Sequence, residues 1–263
     1  MGVLNVTPDS FFDGGRFYSL EAALTHAESM IEAGVDIIDI GGESSRPGAV
    51  GISTEEELRR ILPVIFALRD CGKPLSVDTC KPAVMIEALA AGVDMINDIA
   101  GFRDVHGLRA IKESDCALCI MHMQQAPVNM QDKPAYVDVL QEVTDFLRER
   151  LVACRANDIA ADRLCIDPGF GFGKSVAHNI TLLQHIGTIA AELDVPVLVG
   201  LSRKSLIGGL TGKPVGDRLA GSIAAAVMAA HNGAAIVRVH DVAETMDALK
   251  VWHAIASQKN KNS

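Results

Sequence analysis

The stretch LSVDTCKPAVMIEALAAGVDMIND, residues 75–98, decides the fold. It contains two short apolar runs, 75–77 and 95–96, which end at Asp78 and at Asn97-Asp98. A helix-like stretch separates the two runs, so the segment predicts a strand, a helix and a second strand. This alternation is typical of α/β proteins built on a parallel sheet.

The same pattern recurs along the whole chain, because short apolar runs repeatedly end at polar or charged residues. Eight such runs, separated by helix-like stretches, predict a closed (β/α)8 barrel that forms one domain over residues 1–257, followed by a polar tail at 258–263 that we expect to be frayed. An open doubly wound sheet is the alternative, but it would gather its polar strand ends at one switch point. The eight runs lie at residues 3–4, 35–40, 75–77, 95–96, 117–121, 164–166, 197–199 and 236–239.

Composition narrows the class of protein. The 263 residues suffice for one large core, and 49% hydrophobic with 4% aromatic residues fits a core of Val, Ile, Leu and Ala. The net charge of −9 argues against nucleic acid and against an anionic membrane as partner. The apolar stretch 220–237 is interrupted at His231-Asn232-Gly233, so we read it as a buried helix and a strand. Six scattered cysteines predict reduced thiols and a cytoplasmic protein.

Two motifs suggest a metal or nucleotide site, but we prefer a simpler structural interpretation of each. Cys116 and Cys119 form a CxxC pair, but residues three apart on a strand face opposite sides, so we expect ordinary core cysteines. The segment DPGFGFGKS at 167–175 has Pro168 where a phosphate-binding GxxxxGK[ST] loop needs glycine. We therefore expect a glycine-rich loop beside a ligand, with Asp167 as its polar contact.

Polar strand ends of a closed barrel converge on one face, where the active site lies. Asp78, Asn97 and Asp167, with Lys204 from a fourth strand end, can surround a heterocycle rich in N–H donors. We expect His122 to be structural. Asp241 is a plausible start for the last helix beside Arg238 and His240, which predicts an anion site. Basic residues that lie near predicted strand ends, and could serve an anionic substrate, are Arg46, Lys81, Lys174, Arg203, Lys204 and Arg238.

Eight motifs together resemble the dihydropteroate synthase family over nearly the whole chain. The eight motifs follow one another in the family's order, which a chance match would not reproduce. They are MGVLNVTPDSFFDGG at 1–15, GGESSRPG at 41–48, SVDTCK at 76–81, NDI at 97–99, MHMQ at 121–124, DPGFGFGK at 167–174, SRKS at 202–205 and RVHD at 238–241.

The resemblance implies roles for residues of this chain. Pterin contacts would come from Asp78, Asn97, Met121, Asp167, Phe172 and Lys204. Asn5 would help to hold Mg²⁺ on the diphosphate, which Arg46, Arg238 and His240 would also bind. The p-aminobenzoate side would be formed by Phe11, Ser45, Pro47 and Ser202. The residues closest to the chemistry would be Asp78, Lys204, Arg238 and His240.

The implied reaction condenses 6-hydroxymethyl-7,8-dihydropterin diphosphate with p-aminobenzoate to 7,8-dihydropteroate and diphosphate. The resemblance also implies a transferase of folate biosynthesis, a sulfonamide target and a homodimer. We favour dissociative loss of diphosphate before the arylamine attacks, since an arylamine is already neutral at pH 7 and needs no strong base.

Two competing interpretations remain at this point. A pterin-binding methyltransferase domain would share the Asp and Asn contacts, but it has no need for the SRPG loop that carries Arg46 or for the paired Arg238 and His240. A non-catalytic pterin-binding barrel would have lost the leaving-group residues, whereas Asn5 and these three are all present.

Overall fold

The structure is a computed structural model that describes residues 1–7, 16–46, 48–124 and 134–259. Its strands are β1 (Gly2–Asn5), β2 (Ile38–Gly41), β3 (Leu75–Asp78), β4 (Met95–Asp98), β5 (Ala117–Met121), β6 (Leu164–Asp167), β7 (Leu198–Val199) and β8 (Ile236–Val237). Its helices are α1 (Arg16–Glu32), α2 (Thr54–Leu68), α3 (Pro82–Ala91), α4 (Val105–Lys112), α5 (Val139–Ala156), α6 (Val176–Gln184), α7 (Ile186–Leu193), α8 (Ser205–Thr211), α9 (Leu219–His231) and α10 (Val242–Lys259).

The strands close into a cylinder. Strands β1 to β6 lie side by side in chain order and are all parallel, and β7 pairs with β8. A bridge between Ile166 and Val197 joins β6 to β7, and a bridge between Gly2 and Val239 joins the end of β8 to β1. The Val3 N–H donates to the Val239 carbonyl at 2.9 Å across this last seam. The predicted (β/α)8 barrel is therefore confirmed, and the open sheet is excluded.

Alternate residues of each strand face two different cores, as the pleat requires. Outward-facing residues such as Ile40 and Val77 belong to the main core between the strands and the helices. A smaller group fills the interior of the barrel toward the N-terminal ends of the strands, and we call it the apolar cluster. Its buried members are Met1, Met95, Cys119, Cys165 and Leu198.

The cysteine pair confirms this division. Cys116 is buried in the main core, whereas Cys119 belongs to the apolar cluster, so the two thiols lie on opposite sides of the sheet as predicted. Cys119 is instead in register with Cys165 on the neighbouring strand, a pairing that the sequence spacing does not reveal. All six cysteines are free.

Capping side chains mark the starts of α2 and α5. Ser53 caps α2 and accepts the Glu56 N–H at 3.2 Å. Asp138 caps the first turn of α5, and Tyr136 therefore lies before that helix. The Tyr136 hydroxyl donates to the Gly173 carbonyl at 2.9 Å. None of the helices in the described part of the chain is long and apolar enough to cross a membrane.

The last helix also differs from the expectation at its far end. It begins directly after Asp241, as predicted, and the Thr245 N–H donates to the Asp241 carbonyl at 3.1 Å. It continues to Lys259, so the first two residues of the expected tail, 258–259, are helical. Residues 260–263 lie outside the described part of the chain.

Candidate active site

Register brings the polar strand ends of the first four strands together. Asn5 pairs with Gly41, Gly41 with Asp78, and Asp78 with Asn97. Residues in register on neighbouring parallel strands point to the same side of the sheet, here the interior of the barrel. Asn5, Asp78 and Asn97 therefore face one opening at the C-terminal ends of the strands, the face where barrel enzymes carry their active sites.

Arg238 lies between two carboxylates. Its Nε donates to Asp39 Oδ2 at 2.6 Å and its Nη2 donates to Asp78 Oδ2 at 2.9 Å. The Asp39 side chain is fully buried, and the Arg238 side chain is 16% exposed. Burial opposes the charge of Arg238, but Asp39 and Asp78 outweigh it and raise the pKa of the guanidinium. One cation thus serves two acids, and the group carries net negative charge when both are ionised.

The pKa of Asp78 reflects this shortage of positive charge. Burial raises the pKa of Asp78 to about 7; Arg238 counteracts the shift only in part, and Asp39 adds to it. A carboxylate in this state is sensitive to any further positive charge in the opening. A cation that develops nearby would be stabilised by it.

Asp167 and Lys204 form the second part of the site. Lys204 Nζ donates to the Phe170 carbonyl at 2.7 Å and lies 4.6 Å from the centroid of the Phe172 ring. Burial lowers the pKa of Lys204 to about 8, and Asp167 counteracts this shift. Asp167 Oδ1 accepts the Gly169 N–H at 2.7 Å.

Two glycines lie beside these groups, and the first of them is required by the close approach of the backbone. Gly169 has φ +73°, and a Cβ there would lie 1.8 Å from the His122 carbonyl oxygen, so no other residue fits. A Cβ at Gly200 would lie 3.5 Å from Lys204 Nζ and 3.8 Å from Arg238 Cβ. Lys204 and Arg238 therefore lie beside the same gap after β7, which joins the two parts into one polar cluster. We use this name for Asp39, Asp78, Asn97, Asp167, Lys204 and Arg238.

Several buried polar atoms at this site have no partner among the described residues. They are Asp39 Oδ1, Ser76 Oγ and Asn97 Oδ1, on three neighbouring strands. Asn97 Nδ2 lies 3.5 Å from Asp39 Oδ2, a long contact. Buried acceptors normally find a donor, so this region suits a ligand that presents N–H groups. Met121 and Phe172, packed together with Met123, supply an apolar wall.

His240 and Ser202 form the end of the site nearest α10. The Ser202 hydroxyl oxygen accepts the His240 N–H at 3.2 Å and lies 3.0 Å from His240 Nδ1. Burial, reinforced by Arg238, lowers the pKa of His240 to about 4. At neutral pH His240 is therefore an uncharged imidazole, and Arg238 supplies the positive charge beside it. The N-terminus of α10 follows directly, with its free N–H groups.

Three of the basic residues expected to serve an anionic substrate are bonded inside the protein instead. Lys81 bonds to Glu43 and Glu57. Arg203 pairs with Asp241. Buried Lys174 donates to the Gly169 and Phe172 carbonyls at 2.9 and 3.0 Å and lies 2.9 Å from Nδ1 of structural His122. These three residues already have acceptors within the protein, so none of them is assigned to the substrate here.

The remaining predicted residues lie on the loops. Ser45 lines a small pocket at the edge of the opening, together with Asp78. Arg46 is exposed on the rim and outside the polar cluster. Asn5 is half-buried at the end of β1. Phe11 and Pro47 lie outside the described residues.

Asp39 is the site residue to which sequence reasoning gave no role. It lies inside the second apolar run instead of at its end, so the strand-end pattern passes over it. A signal was available, because a charged residue in a strand buried on both faces needs a buried partner. Its partner is Arg238, 199 residues away along the chain.

The chain resembles known proteins over nearly its whole length. A family model described as "Pterin binding enzyme" matches residues 1–240. The chain is 48% identical over 259 residues to a dihydropteroate synthase of Neisseria meningitidis serogroup C, covering 97% of this chain and 92% of that protein.

Two solved structures add to this likeness. The dihydropteroate synthase of Burkholderia cenocepacia, complexed with 7,8-dihydropteroate, superposes with a TM-score of 0.91 at 48% identity, covering 99% of this chain and 92% of that chain. That of Xanthomonas albilineans, with 4-aminobenzoic acid, gives a TM-score of 0.91 at 51% identity, covering 97% and 92%.

The chain belongs to the dihydropteroate synthase family. The family model by itself names only pterin binding, and the relatives that match over nearly their full length decide against the two competing interpretations. As a member of the dihydropteroate synthase family the chain is a transferase, and the resemblance seen in its motifs is confirmed.

Proposed function

We propose that the polar cluster binds 6-hydroxymethyl-7,8-dihydropterin diphosphate and that the chain condenses it with p-aminobenzoate to give 7,8-dihydropteroate and diphosphate. The observation that carries this proposal is the set of buried acceptors beside Asp78 and Arg238 at the mouth of the barrel that have no partner among the described residues. A pterin presents several ring and amino N–H donors along one edge, which such acceptors select. Ligands that lack these donors would leave buried oxygens unpaired, a loss of about 1–3 kcal/mol each.

Each pterin contact has a supporting feature. Asp167 uses Oδ1 for the Gly169 N–H, so its other oxygen can accept from the ligand. Asn97 offers its Oδ1, which has no partner in the described part of the chain, and Asp78 offers its buried carboxylate. Lys204 can turn its ammonium from the Phe170 carbonyl toward a ring acceptor. Met121 and Phe172 pack against the flat faces of the ring.

The diphosphate end would be held by Arg238 and His240, with Arg46 approaching from the exposed rim. Arg238 is held in place by Asp39, so it can turn its second nitrogen from Asp78 to the anion without leaving the site. His240 is neutral and can donate a hydrogen bond. The N-terminus of α10 adds backbone N–H groups at the same end.

Mg²⁺ fits this donor set as an ion that arrives on the diphosphate. No three His, Cys, Asp or Glu side chains in the described ranges are arranged to hold a metal, which argues against an all-protein cage. Mg²⁺ commonly takes one or two protein oxygens, and the rest from substrate phosphates and water. Asn5 would supply one amide oxygen, and bound Mg²⁺ would offset negative charge on the leaving diphosphate.

The chemistry then follows from the positions of the charges. Breaking the carbon–oxygen bond leaves positive charge on the methylene of the pterin and negative charge on the diphosphate. Asp78 stabilises the first, while Arg238 and His240 stabilise the second. The neutral amine of p-aminobenzoate, on the side for which Ser45 and Ser202 are proposed, attacks the methylene and releases a proton. No residue has to act as a strong base.

A homodimer in the cytoplasm is also part of the proposal. Met228 on α9 and Val251 and Ile255 on α10 are large apolar side chains that are about half exposed or more, which suits a subunit contact. Six free cysteines suit a reducing compartment. Sedimentation of the full chain tests the dimer, and a monomer at micromolar concentration would refute it.

A diphosphate-release assay tests the reaction. The chain is mixed with the dihydropterin diphosphate, with and without p-aminobenzoate and with and without Mg²⁺. We expect diphosphate and 7,8-dihydropteroate in equal amounts, dependent on Mg²⁺. Release of diphosphate without product would indicate hydrolysis, and no release would refute the proposed function.

A further inference from the structure

We infer that Lys81 is a positioning residue that fixes the loop carrying Ser45 and Arg46, and so controls binding of p-aminobenzoate. The inference rests on the proposed function, because that function assigns Ser45 to the p-aminobenzoate side. Lys81 is the N-cap residue of α3 and lies three residues after Asp78. It therefore connects the pterin side of the site to whatever its ammonium group binds.

The ammonium group of Lys81 binds one residue at each end of that loop. Its Nζ donates to Glu43 Oε2, just after β2, and to Glu57 Oε2, in the first turns of α2. The loop between these glutamates is described at residues 44–46 and 48–53. One cation thus holds both ends of the loop to the rim of the barrel beside Asp78.

Glu43 strengthens this closure. Its Oε2 also accepts the Ile52 N–H at 3.1 Å, so the first and the last parts of the loop are joined through a single carboxylate. Gly42, just before it, packs so closely on α2 that a Cβ would lie 2.8 Å from Ile61 Cγ2. Arg60 Nη1 donates to the Gly42 carbonyl at 2.9 Å. The base of the loop is therefore rigid, while Arg46 at its rim is exposed.

Burial makes the charge of Lys81 necessary. The Glu57 side chain is only 1% exposed, and its Oε1 has no partner among the described residues, so Lys81 is its main compensation. Burial opposes the charge of Lys81, but Glu43 and Glu57 outweigh it and raise its pKa, so the group stays charged. Without Lys81 a buried carboxylate would face Glu43 alone, and the two like charges would push the base of the loop apart.

The effect on substrate acts through a pocket at the rim. Glu43, Ser45, Glu57 and Asp78 line this pocket. Lys81 bonds to two of its lining residues, Glu43 and Glu57, and is not itself part of the lining. A shift of the loop would displace Ser45 and leave Asn97, Asp167 and Lys204 in place. Lys81 should therefore affect p-aminobenzoate more than pterin.

Steady-state kinetics of Lys81→Met, Lys81→Arg and wild type, with calorimetric binding of 6-hydroxymethylpterin, test this inference. For Lys81→Met we expect the KM for p-aminobenzoate to rise tenfold or more, with kcat at saturation and pterin affinity within about threefold. Lys81→Arg keeps the charge and should recover most of the loss. Lys112→Met removes a lysine paired with Asp158 on the outside of the barrel and serves as the matched control.

Glu43→Gln and the Glu43→Gln/Lys81→Met pair complete the design. Glu43→Gln retains an acceptor for Ile52 and should raise the same KM by a smaller factor. The double variant should be no worse than Lys81→Met, since both act through one contact. If Lys81→Met does not fold, the KM shift of Glu43→Gln decides.

Two results would overturn the inference: an unchanged KM for p-aminobenzoate in Lys81→Met or in Glu43→Gln, or a parallel loss of kcat, pterin affinity and melting temperature in Lys81→Met. Failure of the proposed function looks different, because wild type and Lys112→Met would then form no dihydropteroate.

Discussion

The interior of the barrel holds two clusters with opposite chemistry. The apolar cluster lies toward the N-terminal ends of the strands, and the polar cluster lies at the opposite end. Both are built from inward-facing positions of the same strands: Met95 and Asn97 are two residues apart on β4, and Cys165 and Asp167 are two residues apart on β6. Within two residues the role of a side chain changes from packing to recognition.

The comparison shows how the fold separates stability from function. The apolar cluster follows the ordinary rule that interiors bury apolar side chains. The polar cluster breaks it, with three buried carboxylates near two cations and with acceptors that have no partner among the described residues. Such a group costs free energy of folding unless a ligand satisfies it. Substitutions in the apolar cluster should therefore lower stability and leave turnover nearly unchanged, whereas substitutions in the polar cluster should lower turnover.

The largest effect is expected at Asp78. Asp78→Ala removes the carboxylate that faces the developing cation, so turnover should fall by about 10³-fold or more, roughly 4 kcal/mol. Steady-state diphosphate release with both substrates measures it. Cys119→Ala in the apolar cluster is the control and should keep turnover within a few-fold, while lowering the free energy of unfolding by about 1–2 kcal/mol. Full turnover in Asp78→Ala would remove the dissociative mechanism from consideration.

The next effect concerns Arg238. Arg238→Met leaves Asp39 and Asp78 buried without their cation, so we expect a loss of about 3 kcal/mol in the free energy of unfolding. Denaturant titration at pH 7 measures it. Adding Asp39→Asn to the same variant removes one of the two unpaired charges and should restore part of the loss. If the double variant is less stable than Arg238→Met, Asp39 does not act through the guanidinium.

Much of the polar cluster is predictable from sequence because the barrel imposes register. A polar residue at the end of a buried strand has one place to point, so Asp78, Asn97 and Asp167 could be grouped before any coordinates. The same reasoning gives the anion site, since Arg238 and His240 share a strand end with the start of α10.

The partners of individual charges could not be predicted. Lys81 and Arg46 look alike in sequence, as single basic residues near strand ends. Lys81 is bonded to Glu43, 38 residues away, whereas Arg46 is exposed. Which of the two forms an internal ion pair depends on how close to each other β2 and β3 bring the loops that follow them. Side-chain pairing over such distances is decided by packing, which no local pattern records.

The smallest expected effect is a change in pH dependence. In the folded protein burial raises the pKa of Asp78 from 3.8 to about 7. Between these values the folded state holds a proton that the unfolded state has lost, so raising the pH through this window destabilises the wild type. Asp78→Asn lacks the group. Its stability relative to wild type should therefore increase between about pH 4 and pH 7 and level off above.

Denaturant titration of both proteins between pH 4 and pH 8.5 measures this difference. Asp98, whose pKa burial raises to about 6, and Lys174, whose pKa burial lowers to about 7, are present in both proteins, so their contributions cancel. Asp70→Asn, at an exposed carboxylate, controls for the removal of one charge. A difference that shrinks as the pH rises would mean that Arg238 holds Asp78 fully ionised in the folded state. The polar cluster would then cost no stability at this position, and the contrast with the apolar cluster would rest on Asp167 and Asn97 alone.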